Sequence, residues 1–323
     1  MYRGRRLRKN EKIRSLIQET TLRKQDLILP IFVIEGTGIY HEIETLPEVY
    51  QYSIDKLHII CEQMIQAEIY SCILFGIPMH KDAFGSSAYD EHGVVQEAIR
   101  FMKKEYPSIY IIGDVCMCEY TDHGHCGILN ENHGVDNDET LPYLNKIALS
   151  YAKAGIDMIA PSDMMDGHIA TLRKALDEEG YKEVAIMGYS AKYASNFYGP
   201  FRAAANSTPC FGNRKGYQMD YANAREALRE VEADIEEGAD IIMVKPALAY
   251  LDIVATVKQR YSHPLAVYNV SGEYAMLKMA IANGLLAEDA IIESMLCMKR
   301  AGADIIITYF ALYLANCIDE GRI

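Results

Sequence analysis

The sequence predicts an α/β fold, a (β/α)8 TIM barrel with an N-terminal arm, and three observations predict it. Eight short runs rich in apolar and β-branched residues recur along the chain, at 27–33, 71–78, 109–116, 158–162, 184–190, 241–247, 265–272 and 305–310. They read as strands buried on both faces of a parallel sheet. Amphipathic stretches long enough for helices lie between most of them, among them 54–68, 141–154, 224–237 and 288–301. A corner is repeated three times, as AGIDMI at 154–159, EGADII at 237–242 and AGADII at 301–306. In each, a glycine can close a helix in the left-handed conformation and an aspartate can turn the chain into the next strand. Strict alternation of strand and helix favours the closed barrel, and no G-x-G-x-x-G follows the first strand to favour a doubly wound open sheet. With 323 residues, half of them apolar, the chain suits one large domain.

Taken in order, residues 1–25 form the arm and residues 26–323 the barrel. Arg3, Arg5, Arg6, Arg8 and Lys9 crowd the first nine positions, and Ile13, Leu16 and Ile17 follow at helical spacing without a secretory apolar core. This pattern reads as an arm docking on a partner subunit rather than an address or a nucleic-acid tail. The five leave 27 basic against 45 acidic residues in the rest, an acidic body that excludes a phosphate backbone as partner. Segments 117–138 and 191–222 are longer than a barrel connection needs, and both follow strand ends, so they read as active-site loops, the second as a lid. The apolar stretch 305–318 is broken by Thr308 and Asn316 and stops at Asp319, short of the roughly twenty residues a membrane span needs. Eight cysteines without a signal peptide point to reduced thiols and a cytoplasmic location.

The strand ends carry the chemistry. The stretch DVCMCEYTDHGHCG, residues 114–127, would place Asp114, Cys116 and Cys118 on one face of an extended chain, with Cys126 folding back from the loop. Three thiolates suit Zn2+ better than a strained disulfide. His123, His125 and His133 stand near enough in sequence to be a fourth ligand, so spacing leaves both an open catalytic site and a closed structural one. Lys245 ends the apolar run IIMVK, where desolvation disfavours its charged form and makes it a candidate Schiff-base former. Lys192 follows the fifth run, two residues past Ser190 and so expected on its face. Ser162, Asp163, Ser271 and Tyr309 offer groups for an amine or a carboxylate. Arg202, Arg214 and Lys215 in the lid suit substrate carboxylates, and Tyr198 and Phe201 can cover the site. A Schiff-base aldolase with a structural metal would need one of the two lysines; a non-catalytic zinc protein would need neither.

The motifs DVCMCEYTDHGHCG, APSDMMDGHI, GYSAKYASNFYGPFR, NRKGYQMDYANAREALRE, MVKPALAYLD, NVSGEYAM and ITYFA together resemble the porphobilinogen synthase family, also called aminolevulinate dehydratase. The resemblance covers essentially the whole chain. It implies a barrel with an arm, a homo-oligomer that is usually an octamer, and asymmetric condensation of two 5-aminolevulinate molecules to porphobilinogen with loss of two waters. It also implies that Lys245 and Lys192 form Schiff bases on the propionate and acetate sides. Ser271 and Tyr309 match the family's hydroxyls for one substrate carboxylate, and Arg202, Arg214 and Gln218 match the groups receiving the other. Asp114, Ser162 and Asp163 match groups around the substrate amine. Cys116, Cys118 and Cys126 match the ligands of a catalytic Zn2+, and Glu230 falls where bacterial members bind an allosteric Mg2+; no organic cofactor is implied. Gly216 replaces a cysteine of a second zinc site in animal members, which implies one zinc per subunit. His168 and Ala203 depart from an arginine and an aspartate common in the family.

Overall fold

The computed structural model describes residues 1–323 and is a closed barrel of eight parallel strands. In chain order the strands are β1 (Leu27–Ile34), β2 (Tyr40–Glu42), β3 (Tyr50–Tyr52), β4 (Ser71–Ile77), β5 (Tyr110–Val115), β6 (Met158–Pro161), β7 (Ala185–Lys192), β8 (Ile241–Lys245), β9 (Leu265–Asn269) and β10 (Ile305–Thr308). Eight of them, β1 and β4 to β10, run side by side in sequence order, and the ring closes where Leu27 and Ile28 of β1 pair with Ile306 and Ile307 of β10. Almost every residue of these strands is buried, which is why they read as continuous apolar runs instead of an alternation. The small antiparallel pair β2–β3 joins β1 through Phe32 and Val33, at the end of the barrel where the strands finish.

The helices are α1 (Glu11–Leu16), α2 (Leu57–Gln66), α3 (Val94–Glu105), α4 (Asn137–Ala154), α5 (His168–Glu178), α6 (Gly199–Ala204), α7 (Arg225–Glu237), α8 (Leu251–Arg260), α9 (Ser271–Ala282), α10 (Ala290–Ala301) and α11 (Ala311–Asp319). No helix is long and apolar enough to cross a membrane. The three repeated corners behave alike. Gly155, Gly238 and Gly302 follow α4, α7 and α10 with φ of 99°, 104° and 120°. The following aspartates do more than turn the chain. Asp157, Asp240 and Asp304 accept the backbone N–H of Ile111, Ile186 and Leu265 at 2.7, 2.8 and 2.8 Å, each satisfying a donor at the start of the neighbouring strand.

Some expected details differ. The run 265–272 is not strand throughout: β9 stops at Asn269, and Ser271 opens α9, where Glu273 accepts the backbone N–H of Val270. Lys192 does not share a face with Ser190, because the β7–β8 register shifts between Gly188 and Ala191 and breaks the alternation. Ser190 lines a cavity with His168 and Asp234 among the helices, whereas Lys192 lies over the Tyr189 ring, 5.5 Å from its centroid.

Candidate active site

Several strands that end at this mouth of the barrel deliver a chemical group. Lys192 and Lys245 close β7 and β8 as direct register partners. Both are buried, at 4% and 6% exposure. The Lys192 ammonium donates to the Ser162 carbonyl. The Lys245 amine sits among four rings, with centroids of Tyr268, Tyr189, Tyr198 and Phe201 at 4.3, 5.0, 5.2 and 5.4 Å. Ring faces attract a cation, but desolvation outweighs them here. Burial, reinforced by the neighbouring Lys192, brings Lys245 down to about 7. Asp114, at the end of β5, moves the other way: burial and the nearby Glu119 push its carboxyl up to about 8. Between those values the amine and the acid are both uncharged, a nucleophile and a proton donor in one dry chamber. Asp114 accepts from the Ser162 hydroxyl at 3.0 Å, and its second oxygen is buried without a partner.

Beside the amines the chain leaves β5 at Val115 and turns tightly, with the N–H groups of Tyr120 and Thr121 both donating to the Met117 carbonyl at 2.9 Å. This turn, rather than strand alternation, gathers the sulfurs. The thiols of Cys116, Cys118 and Cys126 lie within 4.8 Å of one another, all buried and unbridged. Hydrogen bonds from Cys116 and Cys118 hold Cys126 well below the usual thiol value, with Arg214 and Lys192 adding to the effect, while burial raises Cys116. Three converging buried sulfurs, with Cys126 favoured as the thiolate, suit a soft or borderline divalent ion. No histidine joins them. His125 spends its two ring nitrogens on the Tyr217 hydroxyl at 3.2 Å and the Phe211 carbonyl at 3.1 Å, and His133 is exposed. The Nδ1 atom of His123 accepts from the His125 N–H.

A third group lies in the lid. Arg214 donates to the carbonyls of Ser207 and Gly124 at 2.6 and 2.9 Å, leaving its Nε buried without a partner. The Nε of Arg202 and both amide atoms of Gln218 are likewise buried and unpaired. Buried polar groups without partners are costly, so these atoms suit a polar ligand, and the two guanidinium groups suit an anionic one. Lys215 does not join them; it is exposed, over the Tyr221 ring.

The lid itself is closed. Its short helix α6 brings Phe201 against Phe75 and Phe32, at 4.9 and 5.5 Å between centroids. Ser271 accepts the Phe201 N–H at 2.9 Å and donates to the Phe197 carbonyl at 3.4 Å, so its hydroxyl holds the lid. Gln51 of β3 and Lys81 donate to the lid carbonyls of Ala204 and Asn206, both at 2.7 Å. Gly272 admits the lid backbone: a side chain there would meet the Phe197 carbonyl oxygen at 2.5 Å. The Tyr198 hydroxyl donates to the carbonyls of Tyr193 and Lys245. Tyr309 lies 3.3 Å from the Tyr268 hydroxyl, beside the aromatic chamber.

Two of the expected residues sit apart. Asp163 follows β6, but both its oxygens face the His168 Nδ1, at 2.9 and 3.1 Å, and one also accepts the Met165 N–H. Glu230 is half-buried on α7, in a cavity of about 460 Å³ that also reaches Gln218. Burial and the nearby Asp166 raise its carboxyl above the ordinary value. Sequence reasoning missed Tyr189, Tyr268 and Glu119, which shape the chamber. Tyr189 and Tyr268 looked like ordinary strand residues, and only their placement beside strand-end lysines could have flagged them.

Comparison with known proteins agrees with this geometry. A sequence model of the family described as delta-aminolevulinic acid dehydratase matches residues 1–317. The delta-aminolevulinic acid dehydratase of Methanothermus sociabilis is 55% identical over 309 residues, 96% of each chain. That of Staphylococcus epidermidis is 52% identical, over 98% of this chain and 99% of its own. A crystal structure of the Toxoplasma gondii enzyme, delta-aminolevulinic acid dehydratase (porphobilinogen synthase) in complex with the reaction product porphobilinogen, superposes with a TM-score of 0.97 at 39% identity, covering 99% of this chain and 92% of that one. The barrel with paired lysines at its mouth therefore belongs to the delta-aminolevulinic acid dehydratase family.

Proposed function

We propose that this chain is a porphobilinogen synthase, condensing two molecules of 5-aminolevulinate asymmetrically through Schiff bases on Lys245 and Lys192. One carbon–carbon and one carbon–nitrogen bond join the two molecules, each ketone oxygen leaves as water, and both lysines are returned as free amines. The observation that carries the reading is the pair of register-matched buried lysines, one of them with its amine near 7 inside an aromatic chamber. An iminium at either lysine is an electron sink that acidifies the neighbouring carbon, so the bond forms without a free carbanion in water. Asp114, uncharged up to about 8, and Ser162 beside it are placed to move protons at the substrate amine and carbinol. Asp163 supports the same strand end from behind. Arg202, Arg214 and Gln218 receive one substrate carboxylate, and Ser271 and Tyr309 the other, which fixes the role each molecule plays. Tyr198 and Phe201 exclude water.

Cys116, Cys118 and Cys126 would hold Zn2+, which when bound supplies a Lewis acid near the second substrate. Glu230 is the proposed ligand of an allosteric Mg2+. The arm, residues 1–25, serves assembly into a homo-oligomer, an octamer as in the family, around catalytic domains of residues 26–323, and the enzyme works in the cytoplasm.

The test is reductive trapping: protein mixed with 5-aminolevulinate and borohydride, digested and mapped by mass spectrometry. An adduct on Lys245 is expected, and its rate of formation should rise about tenfold per pH unit as pH climbs towards 7, then level off, as the neutral amine becomes the main form. Lys245→Ala should abolish both adduct and porphobilinogen formation. An intact protein that leaves Lys245 unmodified across the pH range would overturn the assignment.

A further inference from the structure

We propose that Glu273 is a positioning residue for one of the two substrate sites, its buried carboxylate joining the ends of β8, β9 and β10 and so fixing Lys245, Ser271 and Tyr309 relative to one another. The inference rests on reading those three residues as the Schiff-base lysine and the carboxylate-binding hydroxyls of one substrate. Glu273 is 1% exposed, in the first turn of α9. Its Oε1 accepts the Leu248 N–H at 2.8 Å, three residues past Lys245. Its Oε2 accepts the Val270 N–H and the Asn269 side-chain amide, both at 3.1 Å. The Asn269 Oδ1 in turn accepts the Thr308 hydroxyl at 2.9 Å, and the Thr308 oxygen accepts the Phe310 N–H at 3.1 Å. One chain of hydrogen bonds thus runs from the loop after Lys245, past Ser271, to the two residues that flank Tyr309.

A glutamate at the third position of a helix commonly caps it, and the Val270 N–H is all that capping needs. Glu273 goes further, reaching across to a second strand end and, through Asn269, to a third. Its partners are all uncharged N–H groups, with no ammonium or guanidinium among them. Burial lifts its carboxyl to about 7, and the N–H groups of Leu248 and Val270, then the Asn269 amide, pull against that rise. In every contact Glu273 accepts, so the network is built for the ionised form. Burying a carboxylate without a cation costs folding free energy that a hydrophobic side chain would not, so its effect lies in fixing geometry. The network is also one-sided. The Lys192 ammonium donates to the Ser162 carbonyl and the Arg214 guanidinium to Ser207 and Gly124, none of which bonds to Glu273, Asn269 or Thr308. The two substrate sites are held by separate frameworks, and Glu273 belongs to one of them.

The experiment compares wild type with Glu273→Gln, whose amide offers an acceptor to only one of the two donor clusters and turns N–H against the other. Full-length protein at about pH 8, above the Lys245 and Glu273 values, is mixed with borohydride and levulinate, the substrate without its amine. The adduct on Lys245 is timed by mass spectrometry. Its rate should fall at least about tenfold in Glu273→Gln and stay low at saturating levulinate, because a misaimed amine is slow even in a full site. Gly238→Ala, which strains the chain before the start of β8, the end away from the site, should trap at the wild-type rate, so stability loss by itself is not what is read. Should Glu273→Gln fail to fold, Thr308→Val cuts the same chain of bonds at β10 and should also slow the adduct several-fold. A folded Glu273→Gln, or Thr308→Val in its place, that traps within about twofold of wild type overturns the proposal, and so does an equal slowing in Gly238→Ala. Wild type that leaves Lys245 unmodified instead removes the Schiff-base reading itself, and this inference with it.

Discussion

His168 shows how one residue ties three elements together. It opens α5, faces both oxygens of Asp163 at the end of β6, and brings its Nε2 to 3.5 Å from Asp234 of α7, all three being buried. Burial alone would lower the imidazole, but Asp163 and then Asp234 outweigh it and hold His168 well above its ordinary value. It is therefore an imidazolium between two carboxylates, and removing it leaves both uncompensated. His168→Gln should cost about 3–5 kcal/mol in urea unfolding at pH 6. The sign follows from linkage: a folded-state value raised above the unfolded one gives stability that is complete below about 6.5 and fades as pH rises through the folded value. The gap between wild type and His168→Gln should thus narrow at alkaline pH, while His168→Arg, if accommodated, should show no such narrowing. A gap constant with pH would mean that His168 acts by packing alone. The sequence marks His168 and Asp163 as notable, yet it could not show that they face each other, because the geometry depends on Asp234, far along the chain on another helix. Lys245, Lys192 and the three cysteines were legible for the opposite reason: their chemistry is conspicuous at the end of an apolar run or in a dense local motif.

Among the elements, the repeated Gly-x-Asp corner is the most economical device in the fold. A glycine ends the helix at positive φ, and two residues later an aspartate satisfies an N–H at the start of the adjacent strand. The two parts can be separated at α7. A methyl group at Gly238 would find its nearest neighbour, the Arg173 Cγ, at an ordinary 3.6 Å, so the cost of Gly238→Ala is the backbone conformation itself. That cost should be about 1–2 kcal/mol in denaturant unfolding, with no change in ligand binding. A neutral result would mean that the corner relaxes freely. Strand existence was readable because both faces of each barrel strand are buried, but strand ends were not. The run 265–272 continues apolar into Ser271 of α9, and composition carries no mark of the capping by Glu273. The three-residue strands β2 and β3 are too short and too polar to leave a periodic signal, although Gln51 among them helps to seat the lid. The bulge in β7 that turns Ser190 away from Lys192 was equally invisible, since alternation is all a sequence offers there.

At the scale of the molecule, the barrel and the arm obey different rules. The barrel closes on itself through β1 and β10 and builds one continuous core, so it needs nothing from residues before Leu22. The arm is the reverse: neither its first turn, Gly4–Arg8, nor α1 buries a single residue. Leu7, Leu16 and Ile17 remain exposed beside Arg3, Arg5, Arg6, Arg8 and Lys9, while the rest of the chain is strongly acidic. A helix of six residues has too few hydrogen bonds to persist by itself in water, so its order depends on packing against something else. An acidic body and a cationic, apolar arm are complementary between copies, and association would satisfy both. Deleting residues 1–20 should therefore leave the far-ultraviolet circular dichroism and melting of the barrel nearly unchanged while lowering the mass measured by light scattering. Raised salt should weaken the full-length assembly by screening the cationic part of the contact, without dissolving its apolar part. A truncated protein that keeps the full-length mass would place assembly on the barrel surface and leave the arm's exposed apolar residues without a use.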